Sequence, residues 1–273
     1  MSVCADLLSA FQKLGARTSL PRVRALHAPQ NLDGNGKMSA FCAIELEGGA
    51  VGLAYVGLDD AHARLKDVCV VGADPLCLIE RCVAARGAER SIGMATANAL
   101  TRWLFDRVGF EPPQSGDSTG GVRVETGVRI GMVGLFKPLL SRVLEAGADL
   151  TVLELPPEIP GECEGWRITL NPADLAECPQ ILCTSTVLLN DTLDEVRAAC
   201  RAAETFVLIG PGAGCLPDPL FARGVTRLGG SWILDAAKVV DALGSGQNWS
   251  GYTRKFQLDQ KEYPGVQALL DRL

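Results

Sequence analysis

The sequence predicts an α/β protein: a doubly wound, Rossmann-like parallel sheet preceded by a smaller α+β domain. Three observations predict it. Beyond residue 128, short apolar runs alternate with amphipathic ones. Those runs are apolar throughout rather than at every second residue, as strands covered by helices on both faces are. Residues 111–127, EPPQSGDSTGGVRVETG, are dense in Pro, Gly, Ser and Thr, the composition of a domain boundary. The expected division is a small domain over 1–112, a linker over 113–127 and the Rossmann-like domain over 128–273.

The elements follow in order. MSVCADLLSAFQKLG reads as an amphipathic first helix; Asp6 comes early and no basic leader precedes an apolar segment, so it is not expected to be a signal peptide. FCAIEL and VGLAYV form a hairpin around Glu47-Gly48-Gly49-Ala50, where glycine gives the backbone its turn. Helices are expected over DPLCLIERCVAA and ERSIGMATANALTRWLFDRV. The second sets Ile92, Ala95, Ala99 and Trp103 on one stripe, with Asn98 beside it needing a partner if buried. After the boundary, VRIGMV is the first strand and FKPLLSRVLEAG its helix. ADLTVLEL is the second strand, and WRITL a short third leading into a helical turn begun by Asn171 and Pro172. QILCT is the fourth, followed by the helix DTLDEVRAACRAA. TFVLIG is the fifth and GGSWILD the sixth, with AAKVVDALGSG as the last helix. Right-handed crossovers then favour the strand order 3-2-1-4-5-6.

Composition excludes several functions. The chain has 273 residues, 47% hydrophobic, with a net charge of −6. No cluster of Lys and Arg could neutralise a row of phosphates, so nucleic acid is not an expected partner. No run nears ~18 uninterrupted apolar residues, so no membrane insertion is expected and the location is expected to be cytoplasmic. Ten cysteines include no CxxC pair. Cys77 and Cys82 lie five apart on a helix and so point ~140° apart. Two histidines, His27 and His62, are too few and too distant for an imidazole-rich site, and no nucleophile–His–acid set can be assembled from them.

Where ligands go is set by the strand order. In an order of 3-2-1-4 the direction of winding reverses between the first and fourth strands, and ligands bind outside their carboxyl ends. The loop after the first strand is Gly134-Leu135-Phe136-Lys137-Pro138. The loop after the fourth is TSTVLLNDTLDE, which holds Thr184, Ser185, Thr186, Asn190 and Asp191. Thr192 with Glu195 matches a capping box and accounts for part of this polarity. Thr184, Ser185 and Thr186 are left over and are expected to meet a ligand. Glu154 ends the second strand twenty positions after Gly134, where nucleotide-binding domains place an acid for ribose hydroxyls. GMVGLFKP, however, lacks the full G-x-G-x-x-G that brings a helix N-terminus up to a pyrophosphate. Gly210-Pro211-Gly212-Ala213-Gly214 follows the fifth strand, and its glycines leave the floor of the crevice open or simply stop the strand. Asp235, closing WILD, points to the same rim or caps the last helix.

GLFKP, the ELPP after TVL, TSTVLLNDTLD, GPGAGCLPDPLFARGVTRLGG and WILD together resemble the putative heavy-metal chelation family. That family is a Rossmann-like domain of unknown function, usually preceded by a small domain similar to the enolase N-terminal domain; here the hairpin and IGMATANAL carry that second likeness. The resemblance implies a site in a cleft between the two domains, where Asn98, Glu154, Thr184, Asn190 and the Gly210-Pro211 turn converge. A heavy-metal site needs soft or imidazole ligands, and Cys183 and Cys215, on adjacent strands, are the candidates for direct ligation. A cleft lined by hydroxyls, amides and glycines better suits an organic ligand, including a chelator carrying the metal. The expected partner is therefore a small molecule or metal chelate. The cofactor stays open between a metal complex and a nucleotide-like ligand, S-adenosylmethionine or a nicotinamide dinucleotide, the latter making the protein an enzyme.

Overall fold

The computed structural model describes residues 2–29, 40–58, 60–65, 67–116, 119–155, 160–163 and 165–273. The first helix, α1 (Val3–Gly15), starts at Ser2, whose side chain accepts the Ala5 amide, and buries Leu7, Phe11 and Leu14 at helical spacing. Strand β1 (Val23–His27) follows, then the hairpin of β2 (Phe41–Leu46) and β3 (Val51–Tyr55). The turn lies where the sequence places it, with Gly48 and Gly49 both at φ 88°. The three strands form an antiparallel sheet in the order β1-β2-β3. The sequence reading missed β1, because VRALH carries no clean alternation. A short helix α2 (Ala61–Leu65) precedes α3 (Pro75–Ala84), which Asp74 caps through the Leu76 amide with Pro75 in the first turn.

Helix α4 (Gly87–Val108) is covered on nearly every side. It packs on β2 and β3, on α3, and on the second half of the chain, so even Arg90, Asn98 and Thr101 are buried. Its contact with β3 is backbone to backbone. A Cβ on Gly52 would fall 2.2 Å from the Ala99 nitrogen and 2.3 Å from the Ala95 oxygen. The helix stops at Gly109, which takes the left-handed conformation at φ 63°.

The large sheet is built from β4 (Arg129–Val133), β5 (Asp149–Leu153), β6 (Gly161–Cys163), β7 (Trp166–Thr169), β8 (Gln180–Thr184), β9 (Thr205–Ile209), β10 (Arg227–Ile233) and β11 (Thr253–Asp259), among which run α5 (Lys137–Glu145), α6 (Leu193–Ala199), α7 (Asp218–Phe221) and α8 (Ala236–Gly244), with α9 (Val266–Leu270) at the end. Its order is β11-β10-β9-β8-β4-β5-β7-β6. The six strands expected from sequence are parallel and lie in the expected doubly wound order, β4 beside β8. Two antiparallel edge strands, β6 against β7 and β11 against β10, were not expected. Both read as polar: β6 is exposed throughout and β11 buries only Phe256 and Leu258.

Helices cover both faces. Leu139 and Val143 of α5 pack on Ile130, Met132 and Val152. Leu193 and Val196 of α6 join Ile181, Cys183, Phe206 and Leu208 on the other face, in a core continuous with α1, α3 and α4. The small sheet is itself used twice. Cys42, Ile44 and Leu46 face that shared core, while Phe41, Ala43, Val51 and Leu53 meet Val239, Leu243 and Trp249, on and after α8. The segment after Pro112 lies along β11, where Gln257 donates to the Pro113 carbonyl and Ser115 to that of Lys255. Among the described residues no helix is long and apolar enough to cross a membrane.

Candidate functional site

Strands β4 and β8 are neighbours that lead to helices on opposite faces of the sheet, so the loops after them part and leave a gap. Gly134 ends β4 at φ 78°, a conformation that favours glycine. A Cβ there would also come within 3.0 Å of Thr184 Cγ2, so the two loops touch. The Gly134 amide donates to the Leu153 carbonyl at 2.8 Å and the Leu135 amide to the Glu154 carboxylate. The acid after β5 thus sits on the backbone donor that, in a phosphate-binding loop, would face an anion.

The loop after β8 opens as a 3-10 turn, Ser185–Leu188. Thr184 caps it, accepting from the Thr186 amide at 3.3 Å and the Thr186 hydroxyl at 3.1 Å. Asn190 accepts from the Thr192 hydroxyl at 2.7 Å. Thr192 makes no side-chain cap of α6, so the expected capping box does not form. Its ψ of 1° turns the hydroxyl away from the helix amides, whereas a capping residue is extended. Glu195 instead borders the gap.

The gap is a cavity of about 190 Å³, lined by Gly134, Glu154, Thr184, Thr186, Asn190, Thr192 and Glu195 over an apolar floor that includes Val133, Leu153, Val187 and Val196. It brings together the acid and four of the loop positions that sequence reasoning singled out. It adds Glu195 and Pro172, which that reasoning gave only structural roles. Among the described residues no Lys or Arg lines it.

The other expected residues lie elsewhere, and they do not converge on one cleft. Ser185 is buried against the turn after β9, its Oγ 2.4 Å from where a Cβ on Gly210 would stand and 3.3 Å from one on Gly212. Asn98 is buried and donates to the Leu53 carbonyl at 2.7 Å and the Gly212 carbonyl at 3.1 Å, tying β3 to that turn. Its Oδ1, without a partner among the described residues, borders a void of about 40 Å³, room for an ordered water. Phe136, Pro138, Gly210 and Pro211 line a larger groove of about 590 Å³ between the start of α5 and strands β9 to β11. Asp235 caps α8 through the Lys238 amide at 3.1 Å and pairs with Lys238 Nζ at 3.0 Å.

Cys183 and Cys215 are fully buried; burial pushes the first thiol well up and the second to about 12. The thiol that acts on each differs, Cys200 on Cys183 and Cys4 on Cys215. Among the described residues no group of three or more His, Cys, Asp and Glu is placed to hold a metal ion.

One functional element escaped sequence reasoning altogether. Arg90 of α4, 3% exposed, reaches the loop after β8, with Nε donating to the Leu188 carbonyl at 2.9 Å and Nη2 to the Asp191 carboxylate at 2.6 Å. Asp191 holds φ 63°, rare for a residue with a side chain. The only signal was a charge within an otherwise small and apolar helical stretch. These contacts separate the loop's roles. Asn190→Ala is expected to reduce ligand affinity while leaving stability near wild type. Thr192→Ala, with no cap to lose, should cost under about 0.5 kcal/mol in denaturant titration; a loss above about 1 kcal/mol would restore the capping interpretation.

Similarity to known proteins agrees with this architecture. A family profile described as Putative heavy-metal chelation matches residues 119–260, and a second with the same description matches residues 38–101. A solved protein of unknown function from Pyrococcus horikoshii is similar over 93% of this chain and 99% of its own, with 20% identity and a TM-score of 0.68. One from Desulfitobacterium hafniense is similar over 92% and 97%, with 21% identity and a TM-score of 0.68. Likeness at these identities establishes the fold alone. An uncharacterized protein of Methanocaldococcus jannaschii is 25% identical over 178 residues, which span 63% of this chain and 66% of that protein.

Proposed function

Starting from the fact that this chain belongs to the Putative heavy-metal chelation family, we propose that it binds a small organic ligand, or the heavy-metal chelate of one, in the cavity between the ends of β4 and β8. The observation that carries this reading is the lining. The cavity stands where the winding reverses, and among the described residues its polar groups are hydroxyls, an amide and two carboxylates, with no cation. Such a lining accepts hydrogen bonds from amines and hydroxyls and repels phosphates. The ligand class is therefore neutral or cationic, rich in amino or hydroxyl groups. A volume of about 190 Å³ encloses only part of a typical ligand, so the remainder faces the solvent. With Cys183 and Cys215 sealed as thiols, metal enters this cavity already chelated. Every residue lining this cavity falls between Val133 and Val196, so the proposal places the ligand within the part of the chain expected to be Rossmann-like, 128–273, rather than in a cleft shared with 1–112.

One observation favours a second reading, an enzyme with a nucleotide-like cofactor: Glu154 stands where such domains hold ribose hydroxyls. The acidic lining suits S-adenosylmethionine, a cation, better than a nicotinamide dinucleotide, whose pyrophosphate would find no positive partner there. Thermal shift separates these readings, because tight binding raises stability by mass action. The probes are copper(II)–ethylenediamine, iron(III)–hydroxamate, the free metals, S-adenosylmethionine and a nicotinamide dinucleotide. The expected result is a rise in Tm with a chelate and none with free metal, lost in Asn190→Ala. A rise with S-adenosylmethionine alone would favour the enzyme, and no rise with any chelate would defeat the first reading.

A further inference from the structure

Three sulfur atoms meet in the core between α1, α3 and α4. Cys4, in the first turn of α1, brings its Sγ to 3.8 Å from the Met94 Sδ of α4. The Cys82 thiol, near the end of α3, hydrogen-bonds with that of Cys4 and lies 3.7 Å from the Arg90 carbonyl oxygen. All three are sealed from solvent, at 0%, 1% and 2% exposure. The crossing of α3 and α4 holds them close, since a Cβ on Gly93 would fall 2.3 Å from that of Cys82.

In most cores cysteine and methionine are simply small or adaptable hydrophobes. Here a thiol faces a thioether at 3.8 Å.

We infer that Cys4, Cys82 and Met94 form a three-sulfur site for a soft monovalent metal ion, copper(I) or its redox-silent counterpart silver(I). Thiolate and thioether donors select copper(I) on softness. Zinc prefers four donors and thiolate or imidazole over thioether. Metal–sulfur bonds of ~2.3 Å at trigonal angles put the donors ~4.0 Å apart, and the Cys4–Met94 separation is 3.8 Å. Binding releases the thiol protons and leaves two thiolates, one thioether and one cation, a net charge of −1 beside the Arg90 guanidinium. Entry requires α1, which buries Leu7, Phe11 and Leu14, to lift from the core. The site is independent of the organic-ligand cavity, although Arg90 also holds the loop beside that cavity through Leu188 and Asp191.

The test removes competing thiols first. Cys69, Cys77 and Cys163 are exposed and would bind soft metals anywhere, so they are replaced by serine. This full-length background is loaded with copper(I) and desalted against bathocuproine disulfonate. The expected result is one copper per chain, with three sulfurs at about 2.3 Å by X-ray absorption. Copper should be lost in Cys4→Ala and in Cys82→Ala and retained in Cys183→Ala. Met94→Leu keeps the core volume and so keeps the fold readable; there the sulfur count should fall from three to two. No retained copper in the background, retention in both cysteine variants, or a sulfur count unchanged by Met94→Leu would each overturn the site.

Discussion

Alanine at position 52 is expected to cost about 3 kcal/mol, the upper end of ordinary overpacking, and to lower Tm by roughly 6–12 °C. The added methyl would fall 2.2 Å from the Ala99 nitrogen and 2.3 Å from the Ala95 oxygen. Both are backbone atoms of α4, and a helix with nearly every side packed has nowhere to retreat. Glycine as such is not the cause, and a control shows it. Gly49 sits at φ 88° with nothing within 4 Å of the point where a Cβ would stand, so Gly49→Ala pays only the left-handed strain of about 1–2 kcal/mol. Denaturant titration of the two variants tests the difference. A Gly52→Ala protein within about 1 kcal/mol of wild type would mean that β3 and α4 are not in backbone contact.

Asp191→Asn is expected to destabilise by about 3 kcal/mol, because it leaves the Arg90 guanidinium buried without its counter-ion. Asparagine tolerates the positive φ of this position, so backbone strain does not confuse the result. Arg90→Met combined with Asp191→Asn should be more stable than Asp191→Asn alone, since no orphaned charge remains. The coupling energy from that double-mutant cycle measures the link. Additive single effects would show that the 2.6 Å contact does no more than a surface ion pair.

The large sheet was legible because its inner parallel strands, β4, β5, β8 and β9, are buried on both faces and stand out as apolar runs. Edge strands escaped because a strand with one exposed side looks like loop. The candidate cavity was half legible. Topology placed the loops after β4 and β8 correctly, and Glu154, Thr184, Thr186 and Asn190 do border one cavity. Three consecutive hydroxyls could not all face it, however. They sit at a 3-10 turn, where successive side chains point ~120° apart, and Ser185 turns to Gly210 instead. The capping box failed on one dihedral angle at Thr192 that no residue pattern reveals. The pairing of Arg90 with Asp191 was invisible for a different reason. They are 101 positions apart, and nothing local to either announces a partner at that distance.

The second face of the small sheet has a consequence in time. Phe41, Ala43, Val51 and Leu53 are covered by Val239, Leu243 and Trp249, which the ribosome adds about 190 residues after β3 is complete. At ~5–20 residues per second, that interval lasts roughly 10–40 s. Throughout it the hairpin has one apolar face with no cover of its own and two hydrogen-bonding strands ready to pair with a neighbour on the same message. The first third of this chain is therefore the part that a cell must shelter during synthesis, and α8 with the segment that follows it to Trp249 is what releases it from that care.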